Sequence, residues 1–288
     1  MSMECIPLEN GVLRLLIAKS FGPRIIGLSL NGGPNLLADL PDLVTLRPDG
    51  KPYHFYGGHR LWRSPEHAIL SYELEDDPVE IIPLVNGLKL TKPVDVESEV
   101  GKSIQIMLSP KPFQVIITHQ LKNYGEHPVQ CAPWAITQFR PGGVAILPMN
   151  NVDTGFFPNQ NLVLWPYTNL ADRHLQLRRF HIRVNTKMGS PFKIGFANPV
   201  GWLAYWLDGT LFVKSADYNP QAYYPDFGCS SECYCNKCFL ELETLAPLTW
   251  IYPAASVTHT ETWSLYPDVP KPESDQAVQK IINELGPE

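Results

Sequence analysis

The segment that decides the fold is GWLAYWLDGTLFVK, residues 201–214. Two apolar runs, residues 202–206 and 210–214, flank Asp208-Gly209, a dipeptide that favours the tight turn of a two-residue β-hairpin. Both runs have the length of a strand and contain the aromatic or β-branched residues that strands favour. The segment therefore predicts an antiparallel hairpin.

Strand-sized segments of the same kind recur along the chain. They lie at residues 12–17, 24–30, 104–108, 114–120 and 238–242. The turn signals between strands are Asn31-Gly32-Gly33, Asn86-Gly87, Asn123-Tyr124-Gly125 and Pro141-Gly142-Gly143. With 28 Pro and 20 Gly among 288 residues, the chain leaves little room for long helices. These features predict an almost all-β fold.

Two regions differ from this pattern. Residues 149–167 combine asparagines, prolines and aromatic residues without a period, which predicts a long loop at the wall of a cleft. Near the C-terminus, Ser274 precedes apolar residues at helical spacing and Gly286 follows them, which predicts one amphipathic helix. The apolar residues of that helix are Ala277, Val278, Ile281, Ile282 and Leu285. Because no repeat or long linker divides the chain, a single domain is predicted over residues 1–288.

The composition excludes several classes of partner. The chain is 44% hydrophobic and 18% charged, with a net charge of -6 and no stripe of Lys and Arg, which argues against a nucleic-acid partner. No apolar run reaches the length of a membrane span, so no membrane partner is expected. The first residues lack the basic and apolar parts of a secretory signal, so a cytoplasmic location is expected. The oligomeric state is left open.

Motifs for cofactors and common hydrolases are missing. The sequence has no phosphate-binding loop, no dinucleotide-binding glycine motif, no nucleophile elbow and no zinc-protease helix motif. Four cysteines do cluster with the spacing C-x3-C-x-C-x2-C, at Cys229, Cys233, Cys235 and Cys238. Four thiolates can bind zinc and pairs can form disulfides, but this spacing differs from that of common zinc sites. Reduced thiols, no metal and no cofactor are therefore predicted.

The first candidate site cluster is GGHRLWRSPEH, residues 57–67. His59 offers a proton-transfer group, Arg60 a fixed cation, Trp62 a flat apolar face and Glu66 a carboxylate. Sugars stack their C–H faces on aromatic rings and accept hydrogen bonds from planar charged groups. The cluster therefore favours a sugar site, and the alternative is a turn with a core Trp and a structural ion pair.

The second cluster is ELETLAPL, residues 241–248. On a strand, Glu241 and Glu243 point to one face while Leu240 and Leu242 pack on the other. Two carboxylates on one such face indicate a ligand site or paired charges, the alternative being a solvated face. Lys193 and Lys214 lie within apolar strand runs, so each either pairs with one of these glutamates or reaches the surface.

Three further residues belong to the predicted binding set. Arg24 lies in FGPRI, where it adds a cation. Trp134 and Gln138 lie in CAPWAITQF after an Asn-Tyr-Gly turn, and we predict that Trp134 lines the cleft.

The motifs, taken in order, resemble the galactose-mutarotase-like superfamily close to the aldose 1-epimerases. The matching stretches span most of the chain: FGPRIIGL with GGPNLLADLP, GGHRLW, residues 123–138, GWLAYW with DG and LFVK, and ELETLAPL with VTHTETWSLY. The resemblance implies a galactose-mutarotase-like β-supersandwich that binds a small-molecule sugar or sugar derivative.

The resemblance also implies a mechanism in which a glutamate is the base and a histidine the acid. The family's glutamate precedes a threonine, which matches Glu243-Thr244 ahead of Pro247, with Glu241 as the second choice. Where the family has its main histidine, this sequence reads Ala132-Pro133-Trp134, so the acid is predicted to be His59. Asp217 is the match for the family's cleft aspartate.

Three functions remain open from the sequence. The first is an aldose 1-epimerase-like sugar isomerase that interconverts anomers by acid–base ring opening. The second is a non-catalytic carbohydrate-binding protein, which the missing histidine favours. The third is a lyase or hydrolase acting on oligosaccharides, which the loop at residues 149–167 would serve.

Overall fold

Two large antiparallel sheets make up most of the computed structural model, which describes residues 4–94, 98–187 and 189–285. In chain order the strands are β1 Cys5–Glu9, β2 Leu13–Ala18, β3 Arg24–Leu30, β4 Asp39–Leu46, β5 Pro52–Gly57, β6 His59–Ser64, β7 Glu80–Leu84, β8 Gly87–Thr91, β9 Val100–Leu108, β10 Gln114–Asn123, β11 Val129–Phe139, β12 Val144–Pro148, β13 Val163–Leu164, β14 Leu175–Leu177, β15 His181–Asn185, β16 Phe192–Phe196, β17 Trp202–Leu207, β18 Thr210–Ala216, β19 Ser231–Cys235, β20 Leu240–Leu245, β21 Thr249–Ile251 and β22 Ser256–Tyr266.

The two sheets differ in strand order. Sheet I runs β1-β2-β3-β6-β11-β20-β19-β16-β13, and β21 pairs with β11. Sheet II runs β14-β15-β12-β17-β18-β22-β10-β9-β8-β7. The strands β4 and β5 form a separate two-stranded sheet, which we call the roof hairpin because it covers the cleft described below.

The core lies between sheets I and II. Leu61 and Leu242 of sheet I belong to the same buried cluster as Ile117 and Leu203 of sheet II. Strand β10 alternates strictly between buried and partly exposed residues, so it buries one face only. In contrast, every residue of β6 and β20 is buried, so the centre of sheet I is covered on both faces. This second covered face is where the cleft lies.

The predicted hairpin at residues 201–214 is confirmed. Strands β17 and β18 pair antiparallel, and both turn residues have positive φ, 49° at Asp208 and 83° at Gly209. The predicted strand at residues 238–242 begins later, at Leu240, because the Asn236 side chain accepts hydrogen bonds from the backbone N–H groups of Cys238 and Phe239 and holds them in a turn. Residues 149–167 are almost without strand, as predicted, apart from β13.

The C-terminal helix is also confirmed, at Asp275–Leu285. The Ser274 hydroxyl accepts a hydrogen bond from the Ala277 N–H at 3.1 Å, which is the predicted cap. Val278 and Ile281 pack on a cluster that includes Trp202 of sheet II. Gly286, the predicted end of the helix, lies outside the described residues. None of the helices in the described segments has the length and apolar character needed to cross a bilayer.

Gly57 is the last residue of the roof hairpin, and one residue separates it from β6. The space around Gly57 is tightly packed. Its φ is +86°, and a Cβ atom would lie 2.0 Å from the Ala38 carbonyl oxygen. We expect Gly57→Ala to lower the free energy of unfolding by at least about 2 kcal/mol, measured by urea denaturation. Gly11→Ala is the control, since Gly11 has a φ of +92° but open space around it. Equal losses in the two variants would contradict the clash.

Candidate active site

A cleft of about 640 Å³ opens between sheet I and the roof hairpin. Leu43, Val44 and Thr45 of the hairpin border it on one side. The aromatic residues that line it are Phe55, Trp62, Tyr72, Trp134, Tyr167, Tyr234 and Phe239. The charged residues that line it are Arg60, Glu66, Lys193 and Glu241. Aromatic walls with a few convergent polar groups are typical of small-molecule sites.

Strand alternation explains which residues reach the cleft. On β6, Arg60 and Trp62 face the cleft, whereas His59 and Leu61 face sheet II. On β20, Glu241 faces the cleft, whereas Leu240 and Leu242 belong to the core between the sheets.

Arg60 and Glu241 form the polar centre of the cleft. Arg60 Nη2 donates to Glu241 Oε1 at 3.0 Å, and the guanidinium lies 4.5 Å from the centre of the Trp62 ring. The Nε and Nη1 atoms of Arg60 are buried and have no hydrogen-bond partner among the described residues. Burial raises the pKa of Glu241 to about 7, against the lowering effect of Arg60. Glu241 can therefore gain or lose a proton near neutral pH.

Lys193 is the second cation of the cleft. Its ammonium lies 2.7 Å from Glu232 Oε2 and donates to Glu243 Oε2 at 3.0 Å. The same ammonium lies 4.4 Å from the Trp134 ring centre and 4.8 Å from that of Trp165. Burial lowers the pKa of Lys193, but Glu232 and Glu243 outweigh it and raise that pKa well above its ordinary value. Lys193 therefore stays charged.

Glu243 lies behind this cation rather than at the cleft surface. Its side chain is fully buried, and Oε2 also accepts a hydrogen bond from Trp134 Nε1 at 2.8 Å. Lys193 and Trp134 line the cleft, whereas Glu243 does not. Glu241, the second choice from the sequence, is the glutamate of this strand that borders the cleft.

The predicted pairing of Glu243 with His59 across a cleft is not present. The His59 ring is fully buried between the sheets, where Nδ1 lies 2.9 Å from Thr137 Oγ1 and Nε2 lies 2.7 Å from His119 Nε2. The reason is that successive side chains of a strand point to opposite faces. His59 directly precedes Arg60 on β6, so it points away from the cleft. Burial lowers the pKa of His59 well below its ordinary value, so the ring is neutral.

Lys214 belongs to the same interior network and not to the cleft. Its ammonium lies 2.7 Å from Glu261 Oε1 and 3.1 Å from Thr137 Oγ1. The prediction that Glu241 or Glu243 is its partner is therefore wrong, since Lys214 points into the space between the sheets. Trp263 Nε1 donates to Glu261 Oε2 at 2.9 Å, and the Thr244 hydroxyl donates to Glu261 Oε1.

The chemistry of the acceptors fixes the protons in this network. The His259 carbonyl only accepts, so His119 carries its proton on Nδ1, 3.0 Å away. His119 Nε2 then accepts from His59 Nε2–H, and His59 Nδ1 accepts from the Thr137 hydroxyl. His59, His119 and Glu261 have ligand atoms within 4.8 Å of one another, as in a metal site, but the Lys214 ammonium already supplies the cation there.

The remaining predicted binding residues divide between the cleft and its supports. Glu66 borders the cleft, and its Oε1 accepts a hydrogen bond from the Tyr72 hydroxyl at 2.9 Å. Arg24 is buried under the roof hairpin, where it donates to the carbonyls of Phe55 and Gly57 at 2.7 and 2.8 Å and to Glu75 at 2.5 Å.

Gln138 and Asp217 do not line the cleft. Gln138 is fully buried, and its side-chain amide group has no hydrogen-bond partner among the described residues. Asp217 borders a different cavity, together with Thr260 and Thr262. Asp217 is therefore not placed as the aspartate of this cleft.

Sequence reasoning missed Glu232 and five of the cleft aromatics, which are Phe55, Tyr72, Tyr167, Tyr234 and Phe239. A signal was present in SECYC on β19, where Glu232 and Tyr234 alternate with Cys233 and Cys235. The two cysteines of this segment also belong to the C-x3-C-x-C-x2-C cluster, which indicates a thiol site more directly than a carboxylate one. The two cysteines face the core, and all four clustered cysteines are free thiols.

Comparisons with known proteins bear on the fold. No protein-family model and no curated protein matches the sequence. A putative aldose 1-epimerase from Escherichia coli K12 has a similar structure, with a TM-score of 0.55, 13% identity, and coverage of 92% of this chain and 100% of that one. A galactose mutarotase-like protein from Lactobacillus casei has a TM-score of 0.56 at 10% identity, with coverage of 91% of this chain and 100% of that one. A putative mutarotase from Salmonella typhimurium has a TM-score of 0.57 at 8% identity, with coverage of 92% of this chain and 91% of that one.

At these identities the likeness establishes the fold alone. The chain has the galactose-mutarotase-like fold, and the fold prediction is confirmed.

Proposed function

We propose that the cleft binds a sugar and interconverts its anomers, with Glu241 as the proton acceptor. The observation that carries this proposal is a buried carboxyl group at the cleft whose pKa is about 7 and whose neighbour is Arg60. A general base works best when its pKa lies near the operating pH. The descriptions of the structural neighbours as a putative aldose 1-epimerase and a galactose mutarotase-like protein support a sugar as the ligand.

The reaction follows from the charges around the cleft. Glu241 takes the proton of the anomeric hydroxyl, O1 forms a carbonyl with C1, and the C1–O5 bond breaks. The electron pair moves to O5, where Arg60 and the Lys193 ammonium stabilise the charge until a solvent proton arrives. The Nε and Nη1 groups of Arg60, which lack a hydrogen-bond partner among the described residues, are suited to this because they are already desolvated. Rotation about C1–C2 follows, and on closure from the other face O5 releases its proton to solvent while Glu241 returns its proton to O1, which gives the other anomer.

In this proposal Glu243 has a supporting role. With Glu232 it holds Lys193 in place between Trp134 and Trp165. Burial raises the pKa of Glu232 well above its ordinary range, although Lys193 lowers it. Glu232 therefore binds a proton more readily than an ordinary carboxyl group.

The experiment is exchange NMR of the anomers of free aldoses, with sugar phosphates and uronic acids included. We expect an exchange rate above that of buffer and proportional to protein concentration. The position of His59 outside the cleft favours a second candidate, a non-catalytic carbohydrate-binding protein. Binding with no rate increase would select the second candidate, and no binding at all would reject both.

Tyr167 offers a test of the aromatic wall. It lines the cleft and is 47% exposed, so its removal leaves the core intact. We expect Tyr167→Ala to weaken sugar binding roughly fivefold, which corresponds to about 1 kcal/mol of lost ring stacking, measured by calorimetry. Tyr223→Ala is the matched control, since Tyr223 is 86% exposed and does not line the cleft. Equal effects of the two changes would place the sugar elsewhere.

A further inference from the structure

A second cavity, of about 500 Å³, adjoins the cleft. Four residues line both cavities: Thr45, Phe55, Glu66 and Tyr72. Leu46, Pro48 and Ala68 line the second cavity and not the first. The two cavities are therefore neighbouring lobes of one groove, which we call the first lobe and the second lobe.

The roof hairpin runs along both lobes. Leu43 and Val44 of β4 border the first lobe, and Leu46 borders the second. At the rise of about 3.3 Å per residue in a strand, Leu43 to Leu46 spans about 10 Å, which is longer than one pyranose ring. The groove is therefore longer than a single sugar needs.

The second lobe is held open by contacts within the chain. Arg47, whose side chain is almost fully buried, donates to the Tyr72 carbonyl at 3.2 Å and to Asp49 Oδ2 at 2.7 Å. The bond to Tyr72 ties the tip of the roof hairpin to the segment that carries Tyr72, and the bond to Asp49 holds Arg47 within the tip. A preformed lobe of this kind binds a ligand without the cost of ordering a loop.

The junction between the lobes has the chemistry of a sugar contact. Glu66 is exposed, and its Oε1 accepts a hydrogen bond from the Tyr72 hydroxyl at 2.9 Å; a carboxylate has further lone pairs that can accept from a sugar hydroxyl. The rings of Phe55 and Tyr72 offer apolar surface to both lobes. Glu66 is an anion, which disfavours a negatively charged group at this point.

We infer that the groove binds an uncharged saccharide of at least two units, with one ring in the first lobe beside Glu241 and the next ring in the second lobe under Leu46. This inference rests on the proposed sugar binding and adds the class of ligand. The ring in the first lobe is the reducing end, because the anomeric hydroxyl must reach Glu241. The substrate is then a reducing oligosaccharide.

The first test compares ligands of different length. Calorimetry on the full chain compares the Kd of glucose with the Kd values of lactose, maltose and cellobiose, each of which has glucose as its reducing ring. We expect at least one disaccharide to bind at least tenfold more tightly than glucose. If glucose and all three disaccharides bind equally, the inference is overturned while the proposed function stands. If no saccharide of either length binds, both are rejected.

The second test closes the second lobe. Ala68 is exposed and lines this lobe alone, so Ala68→Trp fills the lobe without touching the first. We expect Ala68→Trp to abolish the tenfold advantage of the disaccharide and to leave the Kd of glucose within twofold. Ala68→Ser is the control and should retain the advantage. An Ala68→Trp protein that still prefers the disaccharide would overturn the inference.

Discussion

Replacing Lys214 by methionine is expected to lower the free energy of unfolding by about 3–5 kcal/mol, because the change leaves a buried carboxylate without its cation. The Lys214 ammonium and the Glu261 carboxylate are both fully buried and lie 2.7 Å apart. Burial alone raises the pKa of Glu261, but Lys214 outweighs it and holds that pKa below its ordinary range. Urea denaturation followed by circular dichroism at pH 7 measures the loss.

Two comparisons separate this effect from a general loss of packing. Arg14→Met breaks an exposed ion pair, Arg14 to Glu9 at 3.4 Å, and should cost less than about 1 kcal/mol. The double variant Lys214→Met with Glu261→Gln removes the unpaired charge and should lose less than Lys214→Met alone. A double variant as unstable as the single one would show that packing, not charge, governs the site.

The difference in free energy of unfolding between the native and Lys214→Met proteins should depend on pH in a defined direction. In the native protein the ion pair stabilises the fold above the ordinary pKa of a carboxyl group, and this contribution is lost as the pH falls through the folded pKa of Glu261. In the Lys214→Met protein, burial without a cation raises the pKa of Glu261, so acidification neutralises the harmful charge. The stability gap between the two proteins should therefore narrow as the pH is lowered from 7.

The fold could be predicted because its signals are local. Asp208-Gly209 between two apolar runs specifies a hairpin wherever it occurs, and Ser274 ahead of helically spaced apolar residues specifies a helix start. Such signals depend on a few neighbouring residues, so they can be interpreted without knowledge of distant contacts. The extent of one domain over residues 1–288 stays a prediction.

The site was harder to predict because it depends on strand parity and on distant contacts. His59 and Arg60 are adjacent in sequence, yet one faces the core and the other the cleft, and nothing in GGHRLW says which face is which. Glu241 and Glu243 share a face as predicted, but the position of Glu243 behind Lys193 depends on a strand 50 residues away. Such long-range packing cannot be predicted from a local motif.

Glu241→Gln is expected to reduce the anomer exchange rate at pH 7 by about 10²–10⁴-fold, the usual contribution of a positioned general base. The amide keeps the size of the side chain but does not accept a proton. In the native protein the rate should be low at acidic pH, where Glu241 is protonated, rise through its pKa of about 7, and level off above it. Exchange NMR from pH 5 to pH 8.5, corrected for the rate in buffer, measures this profile.

Glu243→Gln distinguishes the two glutamates. Because Glu243 is one of the charges that raise the pKa of Glu241, its removal should shift the inflection of the profile below pH 7. A base retains an inflection when a neighbour is changed, whereas the loss of the base removes the inflection altogether. If Glu241→Gln keeps the native profile and Glu243→Gln abolishes the reaction, then Glu243 is the base, and the cleft must open between Lys193 and Trp134 to reach it.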